Sequence, residues 1–427
     1  MGGTQAGGCR TSRSDGHRLR SVSGAADSCT NAPVTREAGR SGRTLGSSLG
    51  PRPEAIPCTP PRSRPGTTED ALPAVAFVYP GQGSQSVGMG RALAQASPAA
   101  AAVFAAADAA LGESLSHLAW EGPAEALDLT VNAQPALLVT SIAFLRALDE
   151  RRATAGLLPV AAAFHAGHSM GQYSAMVAAG VLSLEDGVRL VRERGRQMQA
   201  SGEGRPGAMA AIIGLPDERL DDLVAAGAAH GVFGIANRNS PGQVVVSGVH
   251  EAVEAAAAAA KSLGAKRAII LPVSVAAHSP LMADAAAGMR AALAVVAFRD
   301  PVAPLLANAS ARRLTTGDAC RAELVDHLTT GVDWVAAVRA MAASGVTTFV
   351  EVGPGRVLAG LVKRIEPDAT VLATDDQSAP GGLAELDLPA ADADRPAGAG
   401  HPSADALDQP APGPGRAASP PDRSPTT

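Results

Sequence analysis

One pentapeptide constrains this chain more than any other feature: Gly167-His168-Ser169-Met170-Gly171 sits between an apolar run, Val160 to Phe164, and a helical pattern over about 170–200. At a strand–turn–helix junction, flanking glycines keep side chains out of a sharp turn, and the serine Oγ is left exposed at the helix N-terminus. Such junctions belong to layered α/β folds. The pentapeptide therefore bears on architecture and on chemistry together: it reads as a nucleophile elbow carrying Ser169, with a chemically silent tight turn as the alternative.

The surrounding pattern supports a layered fold. Ala74 to Tyr79 is a continuous apolar run that ends at Pro80-Gly81, which predicts a buried strand feeding a glycine-rich turn. Helical periodicity follows at about 88–111 and 134–150. Residues 207–275 read as a self-contained β-α-β-β-α-β unit, the ferredoxin-like motif, with strands at Ala208–Gly214, Val232–Asn237, Gln243–Gly248 and Ala268–Val275 and helices at Pro216–Ala226 and Glu251–Leu263. The chain then returns to helix (about 280–294), a strand near Pro304–Ala307, helices at about 319–328 and 333–344, a strand at Thr347–Val352 and a last helix to about Ile365. The expected organisation is an α/β core over 73–387, with a large subdomain at 73–200 and 276–387 and a small one at 201–275.

Composition narrows the function classes. The chain has 427 residues, 46% apolar, with a net charge of -5, which argues against wholesale disorder and against an electrostatic nucleic-acid binder. No stretch reads as the roughly 20 uninterrupted apolar residues that span a bilayer, so a soluble, cytoplasmic protein without a membrane partner is expected. Four cysteines, Cys9, Cys29, Cys58 and Cys320, form no CxxC pair, which speaks against a disulfide framework or a zinc site. Residues 1–72 hold 10 arginines against six acids, and residues 373–427 hold three against nine. Neither end has helical or strand periodicity, so 1–72 reads as a disordered or non-native extension and 388–427 as a disordered tail. A transit peptide is a lesser reading of the first segment, because it carries Asp15, Asp27, Glu37 and Glu54 and no amphipathic run.

A serine nucleophile needs a base. Of nine histidines, His17 and His401 lie in the terminal segments, and His117, His230, His250 and His327 lie on or beside apparent surface helices, where a solvated role is expected. His168 adjoins the elbow but points away from it, and His165 lies just upstream. His278 follows a predicted strand and precedes Ser279-Pro280, a strand-end loop of the kind that carries catalytic groups; as a base it competes with a capping role. The turn Pro80-Gly81-Gln82-Gly83-Ser84-Gln85 lacks a P-loop lysine and dinucleotide spacing. It better suits an oxyanion donor, with the N–H groups of Gln82 and Met170 as the pair.

Six blocks in order carry a resemblance: PGQGSQSVGMG (80–90), NAQPALLVTS (132–141), GHSMGQYSAMVAAGVLSLEDGVRLVRERGRQM (167–198), ANRNSPGQVVVSG (236–248), LPVSVAAHSPLM (271–282) and EVGPGRVLAGLVKRI (351–365). Over about 74–387 the chain resembles the malonyl-CoA:acyl carrier protein transacylase family. The resemblance implies an α/β-hydrolase-like large subdomain with an inserted ferredoxin-like (βαββαβ) subdomain. It implies Ser169 as nucleophile, His278 as base, the backbone of Gln82 and Met170 as oxyanion donors, and Arg194 pairing with the malonyl carboxylate. Gln134 matches a pocket glutamine and Asn239 a special turn beside the cleft. The family often has glutamine, helping to orient the catalytic histidine, where this chain has His327; the contact can be made by backbone oxygen. Asp333 is a second candidate for that role through a literal Ser-His-Asp arrangement, with a solvated helix-start aspartate the favoured reading. Malonyl-CoA and acyl carrier protein are the implied partners of a monomer that needs no metal or other cofactor. A polyketide acyltransferase and a serine esterase or thioesterase are the rival readings; Val275-Ala276-Ala277 before His278 favours the fatty-acid form.

Overall fold

The computed structural model describes residues 74–375, apart from Arg205 and Ser274; the expected N-terminal extension and C-terminal tail lie outside the described residues. Strand β1 (Ala74–Tyr79) shows why an unbroken apolar run is needed at the centre of such a fold. Val75, Phe77 and Tyr79 enter one hydrophobic core and Ala76 and Val78 the other, because successive side chains of a strand alternate between faces and both faces here are covered.

Further strands follow as β2 (Ala162–Gly167), β3 (Ala208–Ile213), β4 (Phe233–Ser240), β5 (Gln243–Gly248), β6 (Arg267–Ile270), β7 (Leu305–Leu306), β8 (Arg313–Leu314), β9 (Val332–Asp333), β10 (Val346–Glu351) and β11 (Thr370–Ala373). The large sheet has the order β11-β10-β1-β2-β7-β8, parallel except for the β7–β8 hairpin. From β1 the chain builds first toward β2 and later returns to β10 on the other side. The winding therefore reverses between β1 and β10, so the carboxyl end of β1 borders such a point, and these points open a crevice for ligands. The small sheet, β6-β3-β5-β4-β9, contains the antiparallel β6-β3-β5-β4 order of a ferredoxin-like unit, and its own core lies beneath the helices Leu220–Ala228 and His250–Ala260.

Several elements differ from expectation. β6 stops at Ile270, short of the expected Val275, so His278 lies beyond the strand's end. The helical stretch 170–200 is two helices, Gly171–Ala178 and Leu184–Gly204, divided at Gly180 (φ 75°) and restarted where Ser183 Oγ accepts the Asp186 N–H at 3.0 Å. β9 was not expected. It comes from the large subdomain's return segment and pairs in parallel with β4, tying the two sheets together. Two residues are too short to reveal a period of two, and the same holds for β8.

The helix Thr130–Thr154 is long and apolar enough by composition to cross a membrane, against the expectation that no segment comes near; 78% of its most apolar window is buried in the protein, as a core helix requires. Pro135 lies inside it and has no N–H to offer the Val131 carbonyl. Arg192 fills that gap: its Nη1 donates to Val131 O at 2.7 Å and to Asn132 Oδ1, while Nη2 pairs with Glu113. Arg192 is thus a buried structural residue, whereas Arg196, about one turn further along the helix, is exposed and pairs with Glu193. Replacing Arg192 with Met should cost about 1–3 kcal/mol, and about 1 kcal/mol less when Pro135→Ala restores the helical N–H. Denaturant midpoints of the four proteins test this, and equal losses in both backgrounds would exclude the compensation.

Candidate active site

The elbow forms because nothing larger than glycine fits its flanks. A Cβ on Gly167 would lie 2.0 Å from the Gly171 carbonyl carbon, and one on Gly171 would lie 2.2 Å from the Tyr79 carbonyl oxygen on β1. Ser169 between them adopts φ 52°, a left-handed conformation uncommon for a non-glycine residue. Gln172 supports the turn from the next helix: its Oε1 accepts the Gly167 N–H at 3.1 Å and its Nε2 donates to Leu306 O at 2.9 Å on β7.

His278 arrives from the loop after β6 and also holds a left-handed φ, 59°. Its Nε2 lies 2.8 Å from Ser169 Oγ. Its Nδ1 faces two backbone carbonyls, those of His327 and Thr330, both at 3.0 Å. Carbonyls only accept, so Nδ1 carries the proton and Nε2 receives the serine O–H. Burial, followed by the charge of Arg194, pushes the His278 pKa down to about 3, against the opposing pull of the two carbonyls. The ring is neutral at ordinary pH and can take a proton.

Arg194 is 1% exposed. Its Nη1 donates to Gln134 Oε1 at 2.8 Å, its Nη2 donates to Ser169 Oγ at 3.1 Å, and the guanidinium stands 5.9 Å from the Tyr173 ring centroid. Among the described residues no carboxylate pairs with it, and its Nε has no hydrogen-bond partner. Burial lowers its pKa to about 10, which still leaves it charged at neutrality. A buried cation without a counter-ion, beside a serine oxygen, is a place for an anionic group of a substrate.

The glycine-rich loop after β1 is pinned beside the elbow. Gln82 Nε2 donates to Thr130 Oγ1 at 3.1 Å, Gln85 Oε1 accepts the Gly83 N–H at 2.7 Å, and Gln85 Nε2 reaches Asp128 at 3.0 Å. Met170 stands at the N-terminal boundary of the helix Gly171–Ala178, whose first N–H groups, those of Gly171, Gln172 and Tyr173, are taken by the carbonyls of His168, Ser169 and Met170. Among the described residues no group of three or more His, Cys, Asp or Glu side chains is arranged to hold a metal.

Three sequence expectations change here. Asn239 is on β4, at a register irregularity between Arg238 and Ser240, and not in a turn; it meets His168 Nε2 at 2.9 Å and so fastens the small sheet to the elbow. Asp333 does not approach His278: its Oδ1 caps the helix Trp334–Ala343 through the Ala336 N–H at 2.9 Å, and its Oδ2 stands 3.6 Å from Arg238. His327 is not a solvated surface residue but is 1% exposed, because the segment following its helix folds inward over His278. Sequence reasoning also missed Asn308, whose carboxamide accepts the Ser169 N–H at 2.9 Å and donates to Gly167 O at 3.0 Å. The available signal was a polar side chain two residues past a buried strand, at the same sheet edge as the elbow.

With this geometry described, comparison with known proteins gives a consistent picture. A family model for the acyl transferase domain matches residues 76–373. The malonyl CoA-acyl carrier protein transacylase of Escherichia coli K12 is 47% identical over 311 residues, 73% of this chain and 99% of that protein. The crystal structure of acyl-carrier-protein-S-malonyltransferase from Bartonella henselae superimposes with a TM-score of 0.67 at 42% identity, covering 71% of this chain and 96% of that one. A malonyl-transacylase solved in complex with its type II PKS acyl-carrier protein matches equally well, with a TM-score of 0.67 at 41% identity over 71% of this chain and 97% of its own. The elbow, its facing histidine and the overall likeness agree: this chain belongs to the acyl transferase domain family.

Proposed function

We propose that this protein transfers a malonyl group from malonyl-CoA to the phosphopantetheine thiol of an acyl carrier protein, supplying fatty acid synthesis in the cytoplasm. The observation that carries the reading is Arg194, a buried guanidinium with no carboxylate partner 3.1 Å from Ser169 Oγ. A site for acetyl or longer neutral acyl groups gains nothing from burying that charge; a carboxylate at the far end of the acyl chain satisfies it with two parallel hydrogen bonds.

The steps follow from the same atoms. Ser169 Oγ loses its proton to His278 Nε2 and attacks the thioester carbon. The N–H groups of Gln82 and Met170 receive the developing oxyanion, and the carbonyls of His327 and Thr330 hold Nδ1–H while the ring is an imidazolium. The C–S bond breaks, and the coenzyme A thiolate takes the proton back from Nε2. The carrier's thiol then gives its proton to His278 and attacks the malonyl-serine ester, and Ser169 Oγ leaves with that proton. Gln134 holds the guanidinium in place, and Asn239 acts at the cleft edge through His168. The chain acts as a monomer, and no cofactor enters the scheme.

An esterase reading is less well supported, since no carboxylate approaches His278 Nδ1 among the described residues and Arg194 would have no role. The likeness to a transacylase bound to a polyketide carrier keeps carriers of that class as alternative acceptors for the same chemistry.

Arg194→Ala should lower malonyl transfer about 100- to 1000-fold and acetyl transfer less than about tenfold. Steady-state kcat/KM with the two thioesters measures this, and equal losses would refute the role of the guanidinium. A second outcome concerns pH. Because His278 stays neutral until about pH 3, the rate at which a neutral sulfonyl fluoride modifies Ser169 should hold from pH 8 to about pH 5. Arg194→Met removes the second cause of the depression, so the acid limb should move up toward the ordinary histidine range. A limb near 6.5 in the native protein would contradict the electrostatics.

A further inference from the structure

The Ser169–His278 pair is assembled from segments 109 residues apart, and its two halves meet again at a third residue. Asn308 follows β7. Its Oδ1 accepts the Ser169 N–H at 2.9 Å and lies 3.3 Å from His327 Nε2, while its Nδ2 donates to Gly167 O at 3.0 Å. An amide oxygen only accepts, so His327 carries its proton on Nε2 and donates it to Asn308. His327 Nδ1 has no partner among the described residues, in keeping with a neutral ring of that tautomer. The backbone of the same histidine supplies one of the two carbonyls that hold His278 Nδ1. The Asn308 backbone is anchored in turn, its N–H donating to Glu323 on the helix before His327 at 2.6 Å.

We propose that Asn308 and the His327 side chain form a positioning bridge, in which one carboxamide holds the nucleophile's backbone and, through the His327 ring, the carbonyls that orient the base. The proposal rests on the acyl-transfer reading above. Both Ser169 and His278 hold left-handed backbone angles, so each must be held from outside; the bridge ties the two supports to one group and keeps their separation fixed. Glutamine at position 327 would offer an amide N–H to Asn308 Oδ1 in place of the ring's.

The test is the single-turnover rate of malonyl-serine formation, followed by intact-protein mass spectrometry at saturating malonyl-CoA and normalised to the fraction of protein that a sulfonyl fluoride can label. Asn308→Ala and His327→Leu should each lower this rate about 10- to 100-fold with KM for malonyl-CoA within about threefold. The double variant should be no slower than the slower single one, because both break one bridge. His327→Gln should restore most of what His327→Leu loses. The downfield proton resonance of His278 Nδ1–H should shift in Asn308→Ala, and Asn308→Asp, which keeps both acceptor contacts of the oxygen, supplies a milder variant where the alanine folds poorly. Additive losses in the double variant, or an unchanged rate and resonance in Asn308→Ala, would overturn the bridge. A native protein that forms no adduct would instead overturn the acyl-transfer reading on which it rests.

Discussion

The site is organised around a charge, that of Arg194, buried with no carboxylate partner among the described residues. Removing a guanidinium from water costs several kcal/mol unless another group satisfies it, and Gln134, Ser169 and the face of Tyr173 offset only part of this for Arg194. The helix that carries it is held by its neighbour Arg192, whose contacts to Val131, Asn132 and Glu113 lock it against the long core helix. Two arginines two residues apart therefore differ in role: Arg192 is taken up by the fold, and Arg194, with no carboxylate partner among the described residues, is the one the proposed function assigns to substrate.

The same charge shapes the base. Arg194 and burial together hold His278 neutral, and two backbone carbonyls stand ready for its second proton. Backbone oxygens orient the ring as a carboxylate would while adding no net charge that could neutralise the arginine. On the proposed reading, an anionic acyl group on Arg194 would reduce the repulsion on His278 and raise its basicity. The left-handed backbone at Ser169 and at His278 is held by what meets there: the end of β1 against Gly171, Asn308 after β7 on the elbow, and the segment before β9 on His278.

Much of this was legible in the residues. An apolar run too regular to be anything but a buried strand, glycines at the two flanks of a serine, and a β-α-β-β-α-β pattern each follow from short-range sterics, and the structure places strands β1 to β5 close to where periodicity puts them. What stayed hidden depends on contacts between distant segments. β9 has two residues and exists only because β4 offers an edge. His327 looks solvated on its helix until the following loop covers it, whereas Asp333 sits at the start of its helix, as the favoured reading has it, and not against His278. Asn308 gives no local signal beyond its place after a strand, since its partners lie 139 residues upstream and 19 downstream.

The central claim is that Ser169 carries a malonyl group from one thiol to another. Intact-protein mass spectrometry after mixing with malonyl-CoA, and again after adding a phosphopantetheine-bearing carrier protein, tests it most directly. The account predicts a malonyl adduct on Ser169 that disappears as the same mass appears on the carrier. An adduct released only as free malonate, or no adduct on Ser169, would contradict it.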